Sequence, residues 1–214
     1  MIARGPIQTG FYCLCKHVLR GSLAAYVRVR YFDVPDIRAV RRGLLIASNH
    51  QSFLDPELVG ISLPVPVSYL ARRDLFEIPV FGQAIAALGS HPVTRGAIDT
   101  AALRTILTLL RSGEPLLMFP EGTRTPDGEL GEFKSGVAAI AIRCGVPILP
   151  ACVEGTFECW PRTKLLPRPG RVAVAYGPLM EPRGQSAEEL TAKLRMEIQG
   201  LQAFLRHYLG RAAS

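Results

Sequence analysis

Five short apolar runs punctuate the chain: Leu44–Ser48, Val67–Ala71, Leu116–Phe119, Ile148–Val153 and Val172–Tyr176. Each is bounded by Gly, Pro or polar residues, which predicts buried β-strands. Between them lie segments of helical pattern, Glu57–Ile61, Val80–Leu88, Ile98–Arg111 and Ser135–Arg143. A final, more polar helix is predicted over Ser186–Tyr208, opened by the Ser-x-x-Glu capping box of Ser186 and Glu189. Strands alternating with helices imply an α/β fold, a mostly buried mixed sheet flanked by helices. The Pro- and Gly-rich stretch Pro161–Gly170 is too short to separate domains and reads as a loop.

Ahead of the first run the pattern changes. On a wheel of about 100° per residue, Phe11 to Val29 gathers Lys16, His17, Arg20 and Arg28 on one side. Phe11, Tyr12, Leu14, Val18, Leu19, Ala25, Tyr26 and Val29 fall opposite. Two readings fit: an amphipathic helix lying on an anionic membrane, or a helix packing its apolar side on the core. Charge favours the first. Met1 to Arg42 holds eight basic and two acidic residues, which is +6 of the chain's net +7. The expectation is a basic, amphipathic, membrane-docking segment over 1–42 followed by a single α/β domain over 43–214. The longest charge-free stretch there, Gly5 to Cys15, falls short of the ~20 apolar residues of a membrane span, and no signal-peptide pattern follows it.

Composition narrows the field. A chain of 214 residues, 48% hydrophobic, can bury one sizeable core without disulfides or metals. Aromatic residues are 7% and Lys numbers only four, with no basic or aromatic stripe, which argues against nucleic acid as a partner. The five cysteines are odd in number and lack a C-x-x-C pair or a His at metal spacing. They read as reduced structural thiols, and no metal site is expected.

In α/β folds chemistry collects where the chain leaves a strand. The segment after Leu44–Ser48 holds the chain's only Asn, Asn49, followed by His50 and, five residues later, Asp55. A continuous helix would set that pair about 140° apart, but a loop closed by Pro56 lets the carboxylate turn back. A His held by an Asp suits general-base catalysis on a hydroxyl. Asp55 before Pro56 is also the pattern of an ordinary helix N-cap. The segment after Leu116–Phe119 reads Pro120-Glu121-Gly122-Thr123-Arg124. There Gly122 permits a tight turn, Thr123 offers a hydroxyl and Arg124 a planar fork for phosphate. Lys134 and Ser135 follow without forming a Walker A loop, since Phe133 stands where Gly is required. Arg72, Arg73 and Arg95 are further candidate phosphate ligands, and Phe76, Ile78, Val80 and Phe81 could line an acyl-chain groove.

In order along the chain, these segments resemble the motifs of the glycerolipid acyltransferases, whose best-known members are the 1-acylglycerol-3-phosphate (lysophosphatidic acid) acyltransferases. Asn49-His50-x4-Asp55 is similar to the first motif. Arg72-Arg73-Asp74-Leu75 with Ile78-Pro79-x-x-Gly82 and Arg95 resembles the second, Phe119 to Arg124 the third, and Val146-Pro147-Ile148-Leu149-Pro150 the fourth. Phe133-Lys134-Ser135-Gly136 stands at its usual place in the family. The second motif commonly begins Lys-x-Glu, where this chain has Arg72 and Asp74, a change bearing on how an acceptor headgroup is held.

The resemblance implies direct acyl transfer from acyl-CoA or acyl carrier protein, with no cofactor, to the sn-2 hydroxyl of a lysophospholipid. His50 is the implied base and Asp55 its partner. Asn49, Arg72, Arg95, Glu121, Gly122, Thr123, Arg124 and Lys134 are the implied substrate contacts, with Glu121 expected to hold Arg124 or its loop. It further implies docking to an anionic membrane surface, peripheral or monotopic on the cytoplasmic face. Two alternatives stay open: acylation of another lysolipid, such as lyso-ornithine lipid or lysophosphatidylglycerol, and a non-catalytic lipid-binding adaptor.

Overall fold

The computed structural model describes residues 21, 26–40, 42–93 and 100–211. Seven strands, β1 (Val27–Phe32), β2 (Leu44–Ser48), β3 (Ser68–Arg72), β4 (Ser90–Val93), β5 (Pro115–Met118), β6 (Ile148–Glu154) and β7 (Gly170–Tyr176), form one sheet in the order β1-β7-β6-β2-β5-β3-β4. All neighbours are parallel except β6 and β7, so β1 and β7 run against the other five.

Side-chain alternation assigns the two faces of this sheet. Leu45 and Ala47 of β2, Ile148 and Cys152 of β6, and Ala173 and Ala175 of β7 point to one face. There they meet helices α3 (Thr100–Arg111), α4 (Gly136–Cys144) and α6 (Ala187–Leu209) through Leu110, Ala141, Leu194 and Ile198. Leu44, Ile46, Leu149, Val153 and Val174 point to the other, against Leu58 and Val59 of α1 (Asp55–Ser62). Two shorter helices, α2 (Phe81–Ala87) and α5 (Thr156–Cys159), and the 3-10 turns Ile37–Ala39 and Arg73–Glu77 lie between strands. A three-layer α/β/α protein results, and the expected capping box of α6 is formed, Glu189 N–H to Ser186 Oγ at 3.1 Å and Ser186 N–H to Glu189 Oε2 at 2.8 Å.

The structure departs from the sequence reading at both sheet edges. Val27 to Val29, expected as the end of the N-terminal helix, are strand and pair with Gly170 to Val172 of β7. The sequence Val27-Arg28-Val29-Arg30 alternates apolar with charged and so satisfies a period of two; with Val27 fully buried on the sheet, that period wins over the helical one. The rest of the expected helix, Phe11 to Tyr26, lies almost wholly outside the described residues. At the far edge, β4 carries no apolar run at all. Ser90-His91-Pro92-Val93 pairs with β3 on one side only, where a proline is tolerated. Among the described residues no helix is long and apolar enough to cross a membrane.

Because β6, β2, β5, β3 and β4 are parallel, their C-terminal ends lie together. β7 and β1 run the other way and begin at that same end.

Candidate active site

β2 exits the sheet into a loop held on every side. The Asn49 amide donates from Nδ2 to the Val153 carbonyl at 2.9 Å and accepts the Val153 N–H at 2.8 Å, which fixes the end of β2 to β6. Asn49 is buried, and its amide serves as a clamp between the two strands. The next residue emerges beside the loop after β5, which grips its backbone from both directions. His50 N–H donates to Glu121 Oε1 at 2.9 Å, and the His50 carbonyl accepts the Thr125 N–H at 2.8 Å.

The chain then turns through Gln51 to Leu54 and returns Asp55 to the ring, with His50 Nδ1 2.9 Å from Asp55 Oδ2. The carboxylate does not act as a helix cap. Its Oδ2 also accepts the Gln51 and Ser52 N–H groups at 2.6 and 2.7 Å, and its Oδ1 accepts the Thr156 hydroxyl at 2.6 Å. Four donors around one buried carboxyl suit its ionised form, which can only accept. Nδ1 therefore carries the ring proton, and Nε2 is left as the basic nitrogen. The His50 side chain is 18% exposed and that of Asp55 0%: the imidazole is reachable and its partner is sealed. Phe119 stacks on the imidazole at 3.8 Å between centroids and 14° between planes, a second constraint on ring orientation.

Below this pair lies a buried polar layer. Gln51 Nε2 donates to the Gly128 carbonyl at 3.0 Å and to Glu154 Oε2 at 3.2 Å. Glu121 Oε2 accepts the Gly131 N–H at 3.2 Å, so Glu121 ties three backbone segments together and does not grip Arg124 through these bonds. Burial pushes the Glu121 carboxyl up to about 7, against the pull of the two backbone N–H groups and Arg195.

The turn after β5 holds the cationic side of the site. Gly122 adopts φ +72° while its N–H donates to the Phe119 carbonyl at 3.0 Å, a tight turn that an L side chain would strain. The Lys134 ammonium lies beside Gly122, 3.3 Å from where a Cβ would stand, and Thr123 is exposed. The Arg124 guanidinium stacks over the Phe53 ring at 3.5 Å, and Phe53 leans on Trp160 at 5.2 Å. Arg124 and Lys134 thus converge on a turn whose backbone is bonded to His50. Arg72 stands apart. It ends β3, two strands from β2, and grips Asp74 through Nε and one terminal guanidinium nitrogen. Arg95 lies outside the described residues.

Thr156, Gln51 and Ser52 escaped the sequence reading. Thr156 follows the apolar run Ile148–Val153, and so stands at a strand exit like the others.

The acyltransferase family model matches residues 29–154, more than half of the chain. The chain belongs to the acyltransferase family. All four motif segments of this family member fall inside the match. It is 30% identical over 177 residues to the 1-acyl-sn-glycerol-3-phosphate acyltransferase of Pseudomonas aeruginosa, covering 76% of this chain and 68% of that one. To the chloroplastic 1-acyl-sn-glycerol-3-phosphate acyltransferase BAT2 of Brassica napus it is 38% identical over 118 residues, 53% of this chain and 33% of the relative. For LPAT1 of Arabidopsis thaliana the values are 36% over 144 residues, 65% of this chain and 40% of the relative. The family member thus spans a third to two fifths of the length of these plant relatives. Its fold matches the crystal structure of the 1-acyl-sn-glycerophosphate (LPA) acyltransferase PlsC from Thermotoga maritima with a TM-score of 0.82 at 25% identity, over 100% of this chain and 86% of that one.

Proposed function

We propose that this protein transfers a fatty acyl group from an acyl thioester, acyl-CoA or acyl carrier protein, to the sn-2 hydroxyl of 1-acyl-sn-glycerol-3-phosphate, giving phosphatidic acid. The observation that carries the reading is the 2.9 Å contact of His50 Nδ1 with Asp55 Oδ2, set in the same loop cluster as Arg124 and Lys134. The relatives named above carry that activity in their names.

His50 Nε2 accepts the proton of the acceptor hydroxyl as its oxygen attacks the thioester carbonyl. Asp55 stabilises the imidazolium that forms. The tetrahedral intermediate then collapses, the carbon–sulfur bond breaks, and the imidazolium returns its proton to the leaving thiolate. No acyl-enzyme is needed. The acceptor's phosphate sits at the Gly122–Arg124 turn, where the guanidinium is held by Phe53 and the Lys134 ammonium adds a second charge. Glu121 serves this site as a scaffold beneath it, and its raised pKa lets it sit near a phosphate with its charge reduced.

The acceptor is a lipid, so the protein works at a membrane. The basic residues ahead of β1, Arg4, Lys16 and Arg20, support peripheral docking on an anionic leaflet, on the cytoplasmic face where acyl thioesters are made. The test is acceptor selectivity. Arg124→Ala is expected to raise KM for lysophosphatidic acid about tenfold or more while leaving a phosphate-free lysolipid little affected. Equal losses on both acceptors would remove the phosphate from this turn.

A further inference from the structure

The loop between α5 and β7 presents its leucines to solvent. Leu165 is 89% and Leu166 74% exposed, although both are large and apolar. Around them Trp160 to Pro169 carries Arg162, Lys164 and Arg168, all exposed, and no acidic residue. The preceding carboxylate, Glu158, is engaged by Arg211 at 2.8 Å. The loop is not loose at its base: Trp160 Nε1 donates to the Lys164 carbonyl at 3.0 Å, and Arg168 N–H donates to the Cys159 carbonyl at 2.7 Å. A closed base with an apolar tip and a basic collar is the arrangement of an interfacial anchor.

Its place in the fold gives the anchor a purpose. β7 begins at Gly170 and is antiparallel to β6, so the loop stands at the sheet end where β2, β5 and β6 terminate. Ser52 Oγ donates to the Trp160 carbonyl at 2.8 Å, joining the loop to the segment that carries His50 and Asp55. On its other side Tyr26 Oη donates to the Pro167 carbonyl at 2.7 Å, so the chain enters β1 directly beside the loop. The same end carries Ile78 and Val80 in the connection from β3 to α2, 47% and 77% exposed, with Val80 at φ +66°.

We propose that the 160–169 loop is a second membrane anchor, distinct from the N-terminal segment, which inserts Leu165 and Leu166 among the acyl chains of an anionic leaflet while Arg162, Lys164 and Arg168 meet the headgroups. It rests on the reading that the acceptor is drawn from a membrane, and it sets the active-site mouth against the leaflet instead of merely tethering the protein nearby. An acidic carrier protein would suit the same charges, but two exposed leucines on one tip suit hydrocarbon better than a highly charged protein surface.

The experiment uses the full chain and phosphatidylcholine vesicles with and without phosphatidylglycerol. In the Leu166→Trp variant, read against wild type with its native Trp160, binding to anionic vesicles is expected to shift the added indole's emission to the blue and expose it to quenching by acyl-chain-brominated lipid. Leu165→Ser/Leu166→Ser is expected to lower partition about tenfold, and Arg162→Gln/Lys164→Gln/Arg168→Gln by about fivefold per charge at low salt. Turnover of a water-dispersed short-chain acceptor is expected to stay at wild-type level in the leucine variant. Leu166→Trp protein that sediments with vesicles while the emission of its added indole stays that of an indole in water would overturn the anchor, as would failure to bind vesicles or binding to carrier protein through this loop alone. Absence of turnover on the short-chain acceptor in wild type would strike the proposed reaction instead and leave the quenching result standing.

Discussion

The proposed role of His50 as a base rests on what surrounds its partner. With Gln51 N–H, Ser52 N–H and the Thr156 hydroxyl all on Asp55, the carboxylate is fixed in place and can only accept from Nδ1. Removing the base by His50→Ala is expected to lower kcat about a thousandfold with little change in the KM of either substrate, read in steady-state kinetics. Thr156→Val takes one donor from Asp55 without touching substrate. Its expected effect is a kcat loss of about tenfold that Thr156→Ser restores, with the thermal midpoint separating a positioning role from simple loss of stability. His50 and Asp55 were legible because both lie in one strand exit, five residues apart. Thr156 was not: its bond to Asp55 closes a gap of 101 residues, and only the pairing of β2 with β6 brings the two together. Asn49 was legible as unusual but not as a clamp, for the same reason. Its partner is the backbone of Val153, which has no signature in sequence.

At the scale of elements, the loop after β5 is the frame of the site. It meets His50 through Glu121 and Thr125 on either side, so the turn bearing Arg124 is tied to the segment that bears the His50 ring. The central strands were readable because burial on both faces demands continuous apolar runs, and the capping box marked the start of α6, whereas the single turn of α5 was not anticipated. The edge strands were not. β1 has Arg28 and Arg30 turned outward and β4 contains Pro92, both compatible with an edge and neither resembling a buried strand. Helix α1 carries a titration of its own, since burial raises the Glu57 carboxyl from 4.5 to about 7. A carboxyl raised in the folded state contributes stability that is present below its unfolded value and lost as pH rises through the folded one. Glu57→Gln is therefore expected to match wild type near pH 4 and to exceed it by on the order of 1 kcal/mol at pH 8, in denaturant unfolding at both values. An advantage that did not grow with pH would contradict the burial of that side chain.

For the whole molecule, the parallel central strands gather His50, Asp55, Arg124 and Lys134 on one end of the sheet, and the same end carries the exposed apolar loops. Charge is arranged to match, with most of the net +7 ahead of β2. Because β1 begins at Val27, a truncation that tests the N-terminal segment must stop short of it. Deleting residues 1–20 is expected to lower partition onto anionic vesicles at least tenfold while the thermal midpoint stays unchanged. Unchanged partition would return that segment to packing on the core. The central claim is more direct: one loop-held histidine activates a lysolipid hydroxyl against a thioester. It is tested by thiol release from acyl-CoA with lysophosphatidic acid in mixed micelles, with mass detection of phosphatidic acid, for wild type and His50→Ala side by side. Stoichiometric thiol and phosphatidic acid from wild type, and neither above background from His50→Ala, is the predicted result. Equal turnover by the two proteins, or none from folded, lipid-bound wild type with either acyl-CoA or acyl carrier protein, would contradict it.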